Sequence, residues 1–174
     1  MGLQNLISIG FLAGTLAFIA HTALAQSISD RPAAGCQAGD ERRPPYCEDL
    51  KHVIALASTK ERFGPISGRP REGNFFETSL TLTGWNNCSL YGATTYTCDS
   101  PAHRTADEAD HGQARLFDEL KACLGNAWTE AKERSSPKYV VLHNAARPIS
   151  ITLSTDQADK NDHVVHLILF VRRN

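Results

Sequence analysis

The sequence lacks every short motif whose spacing alone announces a chemistry. It has no G-x-S-x-G, no P-loop, no H-E-x-x-H and no EF-hand run. Nothing therefore indicates a nucleophile-elbow hydrolase, a P-loop nucleotide site or a zincin. It also lacks an excess of charge: 18 basic side chains face 19 acidic ones, a net of −1, with no long block of one sign. That argues against a nucleic-acid partner, which would want a basic stripe, so no nucleic acid is expected. The five cysteines contain no C-x-x-C pair, which removes the spacing of a zinc or thioredoxin-like site.

The first 25 residues contain no Asp, Glu, Lys or Arg. They run through Leu6-Ile7-Ser8-Ile9 and Leu16-Ala17-Phe18-Ile19 to Ala23-Leu24-Ala25, the small-x-small pattern of a signal peptide cleaved before Gln26. His21 and Thr22 interrupt the apolar run, so no stable membrane span is expected after cleavage, and the mature product is expected to be soluble. Gln26 is not Cys, which leaves no lipoprotein-type anchor. The expected location is periplasmic or secreted. Taking 25 residues from the 174 leaves 149, enough for one domain with a sound core. The expected organisation is a signal peptide over 1–25, a flexible Pro-, Gly- and charge-rich arm over 26–45, and a single domain over 46–174.

Within the domain, Cys47, Leu50, Val53, Ile54 and Ala57 repeat at helical spacing and predict a helix over 46–62. The Gly- and Pro-containing stretch 63–74 reads as a loop plugged by Phe63 and Ile66. A hairpin follows over 77–98: with its turn at Gly92-Ala93-Thr94, Tyr91 faces Thr95 and Leu90 faces Tyr96. Thr105 and Glu108 form a capping box that opens a second helix, whose apolar face runs to about residue 134 with Gly125 inside it. Three strands close the chain over 139–143, 149–154 and 163–171, the last two separated by a hydrophilic loop over 156–162. The predicted fold is α+β, with two helices packed on a mostly antiparallel sheet in the order α-β-β-α-β-β-β.

All five cysteines follow the cleavage site, which favours disulfides in an oxidising compartment. The hairpin register sets Cys88 opposite Cys98 and pairs them. Cys47 and Cys123 then remain on the inward faces of the two helices. Their bond would close a loop of roughly 76 residues and contribute on the order of 4 kcal/mol by the chain-entropy model. Cys36 is then the free thiol, through which a dimer could form. The competing scheme pairs Cys36 with Cys47 and leaves Cys123 as a buried thiol.

Candidate sites are few. His103, Asp107 and His111 gather at the start of the second helix, where one-turn spacing suits a metal, although acidic residues there are equally expected from the helix dipole. His163 and His166 fall on opposite faces of one strand. His143 could pair with the Cys36 thiol only by a fold the spacing does not indicate. Trp85 and Tyr91 share the parity opposite to the cysteines, which makes them a candidate binding surface if that face is open. No cofactor is expected.

Cys47 with Leu50, Gly84-Trp85 with Cys88, Tyr96-x-Cys98 and Cys123-Leu124-Gly125-x-x-Trp128 form a pattern that resembles a type of small exported proteobacterial protein without an established role. The resemblance covers 47–128 and implies a compartment and a disulfide scaffold. The order of elements is also similar to that of type III secretion chaperones, which are α+β and usually dimeric, but cytoplasmic. The expected function is binding, to a protein or an envelope component, without catalysis. The alternative is a metal-dependent hydrolase using His103, Asp107 and His111.

Overall fold

In a computed structural model, residues 43–172 are described. The first helix, α1, spans Cys47–Ala57 and buries Cys47, Leu50, Val53, Ile54 and Ala57 along one stripe, with Glu48 and Asp49 in its first turn, where the helix dipole favours anions. It stops short of the predicted residue 62. Beyond Ala57 the hydroxyls of Ser58 and Thr59 donate to the carbonyls of Ile54 and Leu56 at 2.9 and 2.8 Å, and Arg62 adopts φ 50°. Hydroxyls that bond nearby backbone carbonyls compete with helix propagation.

The second helix, α2, spans Ala106–Leu124. The first half of its capping box is present, Thr105 Oγ1 accepting from the Glu108 amide at 3.2 Å, while Glu108 Oε2 accepts from the amide of Arg104, one residue ahead of the N-cap, at 2.9 Å. The expectation that this helix runs to residue 134 fails at Gly125. With φ 72°, Gly125 adopts the left-handed backbone that ends helices rather than filling a place inside one.

Eight strands follow the helices in two groups. The first group is β1 (Ser67–Pro70), β2 (Phe75–Thr78), β3 (Asn86–Tyr91) and β4 (Thr95–Asp99), and the second is β5 (Trp128–Glu130), β6 (Tyr139–Asn144), β7 (Ile149–Asp159) and β8 (Asp162–Val171). They form one sheet in the order β1-β2-β3-β4-β8-β7-β6-β5, antiparallel at every junction. The α+β class and antiparallel sheet agree with the sequence reading, but the order α-β-β-α-β-β-β does not. Among the described residues the order is one α-helix and four strands, twice over.

Three corrections account for the difference. The stretch 63–74 contains β1 after a single 3-10 turn at Gly64–Ile66, with Phe63 and Ile66 buried. The first arm of the hairpin divides into β2 and β3. The third added strand is β5 (Trp128–Glu130), which lies where the second helix was expected to continue. The polar stretch 156–162, expected as a loop, adds no element but is mostly strand, because β7 continues to Asp159 and β8 restarts at Asp162. Its hydrophilicity reflects exposed strand ends, which a composition reading cannot tell from a loop.

The hairpin register is as predicted, Leu90 opposite Tyr96 and Tyr91 opposite Thr95. One buried cluster takes in Leu50, Val53 and Ile54 from α1, Leu116 and Leu120 from α2, and Leu90, Tyr96, Ile151, Leu153, Leu167 and Leu169 from the strands. Gln113, buried on α2, donates to the carbonyls of Leu153 and Lys138 at 3.0 and 3.2 Å, so its burial leaves no amide proton stranded at the sheet. Cys47 is bonded to Cys123, with Cα atoms 5.7 Å apart, and Cys88 to Cys98, at 4.1 Å. These bonds overturn the scheme that joined Cys36 to Cys47. Cys36 itself lies outside the described residues, as do the expected signal peptide over 1–25 and nearly all of the expected arm over 26–45.

Candidate binding surface

Alternation along each strand sends the apolar residues of the cluster to one face and the intervening residues to the other. On β8, Leu167 and Leu169 are fully buried, while His166 and Ile168 are half-buried and Phe170 is exposed. The registers carry this second face across the sheet. Phe75 lies opposite Tyr91, Tyr91 opposite Thr95, Thr95 opposite Phe170, and Phe170 opposite Ser150, so one row of side chains crosses five strands. A parallel row runs Glu77, Ser89, Thr97, Ile168, Thr152. A third runs Asp99, His166, Ser154, Tyr139.

Among the described residues four large hydrophobic side chains are exposed: Phe75 at 42%, Tyr91 at 47%, Tyr139 at 41% and Phe170 at 40%. All four lie on this one face. The rings of Phe75 and Tyr91 meet at 5.0 Å between centroids. Beside them is a shallow hollow of about 530 Å³ bordered by Arg71, Asn87, Thr95, Thr97, Asp99 and His166. At its polar end His166 Nδ1 lies 2.7 Å from Asp99 Oδ1, and Asn87 Nδ2 donates to Asp99 Oδ2 at 3.2 Å. Among the described residues no hydroxyl or thiol hydrogen-bonds the His166 ring, so the pair lacks the nucleophile of a Ser-His-Asp triad. The arrangement offers flat aromatic area beside fixed donors and acceptors, which suits recognition.

Tyr91 stands where the parity reading placed it, but Trp85 does not. Trp85 is buried in the core, with its ring edge-on to Tyr46 at 5.6 Å. Asn87 at φ 48° and an irregular register between Asn86 and Ser89 break the alternation that would have carried Trp85 to the face of Tyr91.

The His103, Asp107, His111 cluster resolves into separate roles. His103 exchanges backbone hydrogen bonds with His163, and its ring packs against Gly112, where an added Cβ would lie 2.9 Å away. His111 Nδ1 is 2.7 Å from the Asp107 carbonyl oxygen on an exposed turn of α2. Among the described residues no group of three or more His, Cys, Asp or Glu is placed to hold a metal. His163 and His166 do fall on opposite faces of β8. His143 reaches the Thr129 hydroxyl at 3.4 Å on the aromatic face, and its imagined thiol partner, Cys36, is not among the described residues.

Phe75, Phe170, Tyr139 and the Asp99–His166 pair were missed by the sequence reading. A signal for two of them existed, since His166 and Phe170 sit at alternate positions to the leucines of β8. Burial raises the phenol pKa values of both Tyr46 and Tyr96, helped at Tyr46 by the Glu119 carboxylate that accepts its hydroxyl at 3.0 Å and at Tyr96 by the charge of Asp49. Both belong to the core and take no part in the exposed face. No helix among the described residues is long and apolar enough to cross a membrane. No protein-family model, no curated protein and no solved structure matches this chain.

Proposed function

We propose that this chain is an exported protein that acts by binding a protein or envelope component through the aromatic face of its sheet. The observation that carries the reading is the gathering of all four exposed large hydrophobics on the face opposite the buried cluster. Phe75 and Tyr91 are in contact, and exposed apolar patches on a protein surface mark interaction sites. Two disulfides support maturation in an oxidising compartment, and with it export. The hydrolase reading centred on His103, Asp107 and His111 has no observation in its favour.

The test is capture from a periplasmic extract with the mature chain as bait, run beside a Phe75→Ala, Tyr91→Ala, Phe170→Ala variant. The expected result is a reproducible partner that the variant loses while keeping the melting behaviour of the parent. A partner held equally well by the variant would place binding elsewhere, and stoichiometric zinc in the purified chain, lost on changing Asp107 and His111 to Ala, would return the hydrolase reading.

A further inference from the structure

A second cleft, of about 590 Å³, lies where the end of α1 meets the turn between β6 and β7 and the end of β8. Three arginines from distant parts of the chain converge on it: Arg62, Arg147 and Arg172. Ser58 and Thr59 add hydroxyls, and among the described residues no carboxylate side chain lines it. In a chain with a net charge of −1 this is a local concentration of positive charge. Arg43, Arg69, Arg71 and Arg115 each sit beside a carboxylate, whereas none of the ion pairs among the described residues involves the three arginines of the cleft.

The geometry is held in place. Arg147 Nη1 donates to Ser58 Oγ at 3.3 Å, and the Arg172 amide donates to the Pro148 carbonyl at 2.8 Å, which brings the two chain segments together. Arg62 adopts φ 50°, with its amide donating to Thr59 Oγ1 at 3.0 Å. For a residue with a side chain the left-handed region is disfavoured, because Cβ crowds the following carbonyl oxygen. Such outliers persist where the surroundings impose them, and they concentrate at ligand clamps.

We infer that this cleft binds a small organic oxyanion, a phosphate ester or a carboxylate, with the three guanidinium groups as its anchor. Guanidinium forks match the paired oxygens of both groups. Ala57, Ala146, Pro148 and Val171 supply an apolar wall for the rest of the ligand, which a bare inorganic ion would leave uncovered. The cleft shares no residue with the aromatic hollow, so the inference stands apart from the proposed partner face.

The experiment is amide NMR of the isotopically labelled mature chain titrated separately with phenyl phosphate and with citrate at low ionic strength. Saturable shifts at Ser58, Thr59 and Arg147 are expected with at least one of them. Response to phenyl phosphate alone assigns a phosphate ligand, response to citrate alone a carboxylate, and response to both a site that takes either oxyanion. The double change Arg147→Ala and Arg172→Ala is expected to weaken binding about tenfold or more, as loss of charge-assisted hydrogen bonds does. Arg134→Ala, at an exposed position on another surface, is expected to leave it unchanged. Absence of saturable shifts with both anions overturns the inference, and so does equal weakening by Arg134→Ala, which would mean diffuse attraction to net charge. The parent titration decides the matter even if the double variant folds poorly.

Discussion

Cys47 on the first turn of α1 is bonded to Cys123 on the last turn of α2, 76 residues later, while Cys88 and Cys98 are bonded across one hairpin, 10 residues apart. By the loop-entropy relation these closures are worth about 4.5 and about 2.7 kcal/mol. Replacing the Cys47–Cys123 pair with serines should therefore lower stability by about 2 kcal/mol more than replacing the Cys88–Cys98 pair. Urea unfolding of the two double variants measures the difference, and a larger loss from the hairpin pair would reverse the ranking.

Gly112 is a packing position. A methyl there would press on the His103 ring at 2.9 Å, so Gly112→Ala should destabilise the chain by about 1–3 kcal/mol despite alanine's better helix propensity. The loss should shrink when His103 is also alanine. A double-mutant cycle by denaturant unfolding reads the coupling, and strict additivity would show that the ring is not the obstacle.

Tyr46 and Tyr96 have phenol pKa values raised above the 10.0 of a free tyrosine, first by burial. A raised folded-state pKa gives stability that is complete below the unfolded value and lost as pH climbs toward the folded one. Stability should thus fall above about pH 10 as the unfolded chain's tyrosines ionise. Urea midpoints at pH 8 and above measure the slope. Tyr96→Phe, which also gives up the bond from Tyr96 Oη to the Leu80 carbonyl at 2.9 Å, should flatten it.

Phe75 and Phe170 are exposed, so changing either to Ser should move stability by less than about 1 kcal/mol. Fluorescence of a dye that binds apolar surface should drop in the double variant if these rings form one patch. Unchanged dye fluorescence with unchanged stability would mean that the exposed rings act separately.

The sequence made the staple and the hairpin legible because both depend on local rules: helical spacing put Cys47 and Cys123 inward, and a three-residue turn set the register of Cys88 and Cys98. It misplaced Trp85 because alternation carries no warning of Asn87 at positive φ. It extended α2 through Gly125 to about residue 134 because an apolar stripe continues there in either conformation, and only the backbone angle decides between a helix interior and a stop. The arginine cleft was invisible for another reason. Residues 62, 147 and 172 are brought together by the sheet, and no spacing along the chain encodes that meeting.

The pairing of β4 with β8 is where the first helix-and-four-strand half meets the second in the sheet, and Cys47–Cys123 crosses between the same two halves. The connector between them exposes Arg104. A single tryptic cut there should yield two fragments that travel as one molecule on a non-reducing gel and separate once thiol is added. The chain is thus built as two pieces with one covalent tie besides the backbone, and either piece, expressed alone, should seek the other.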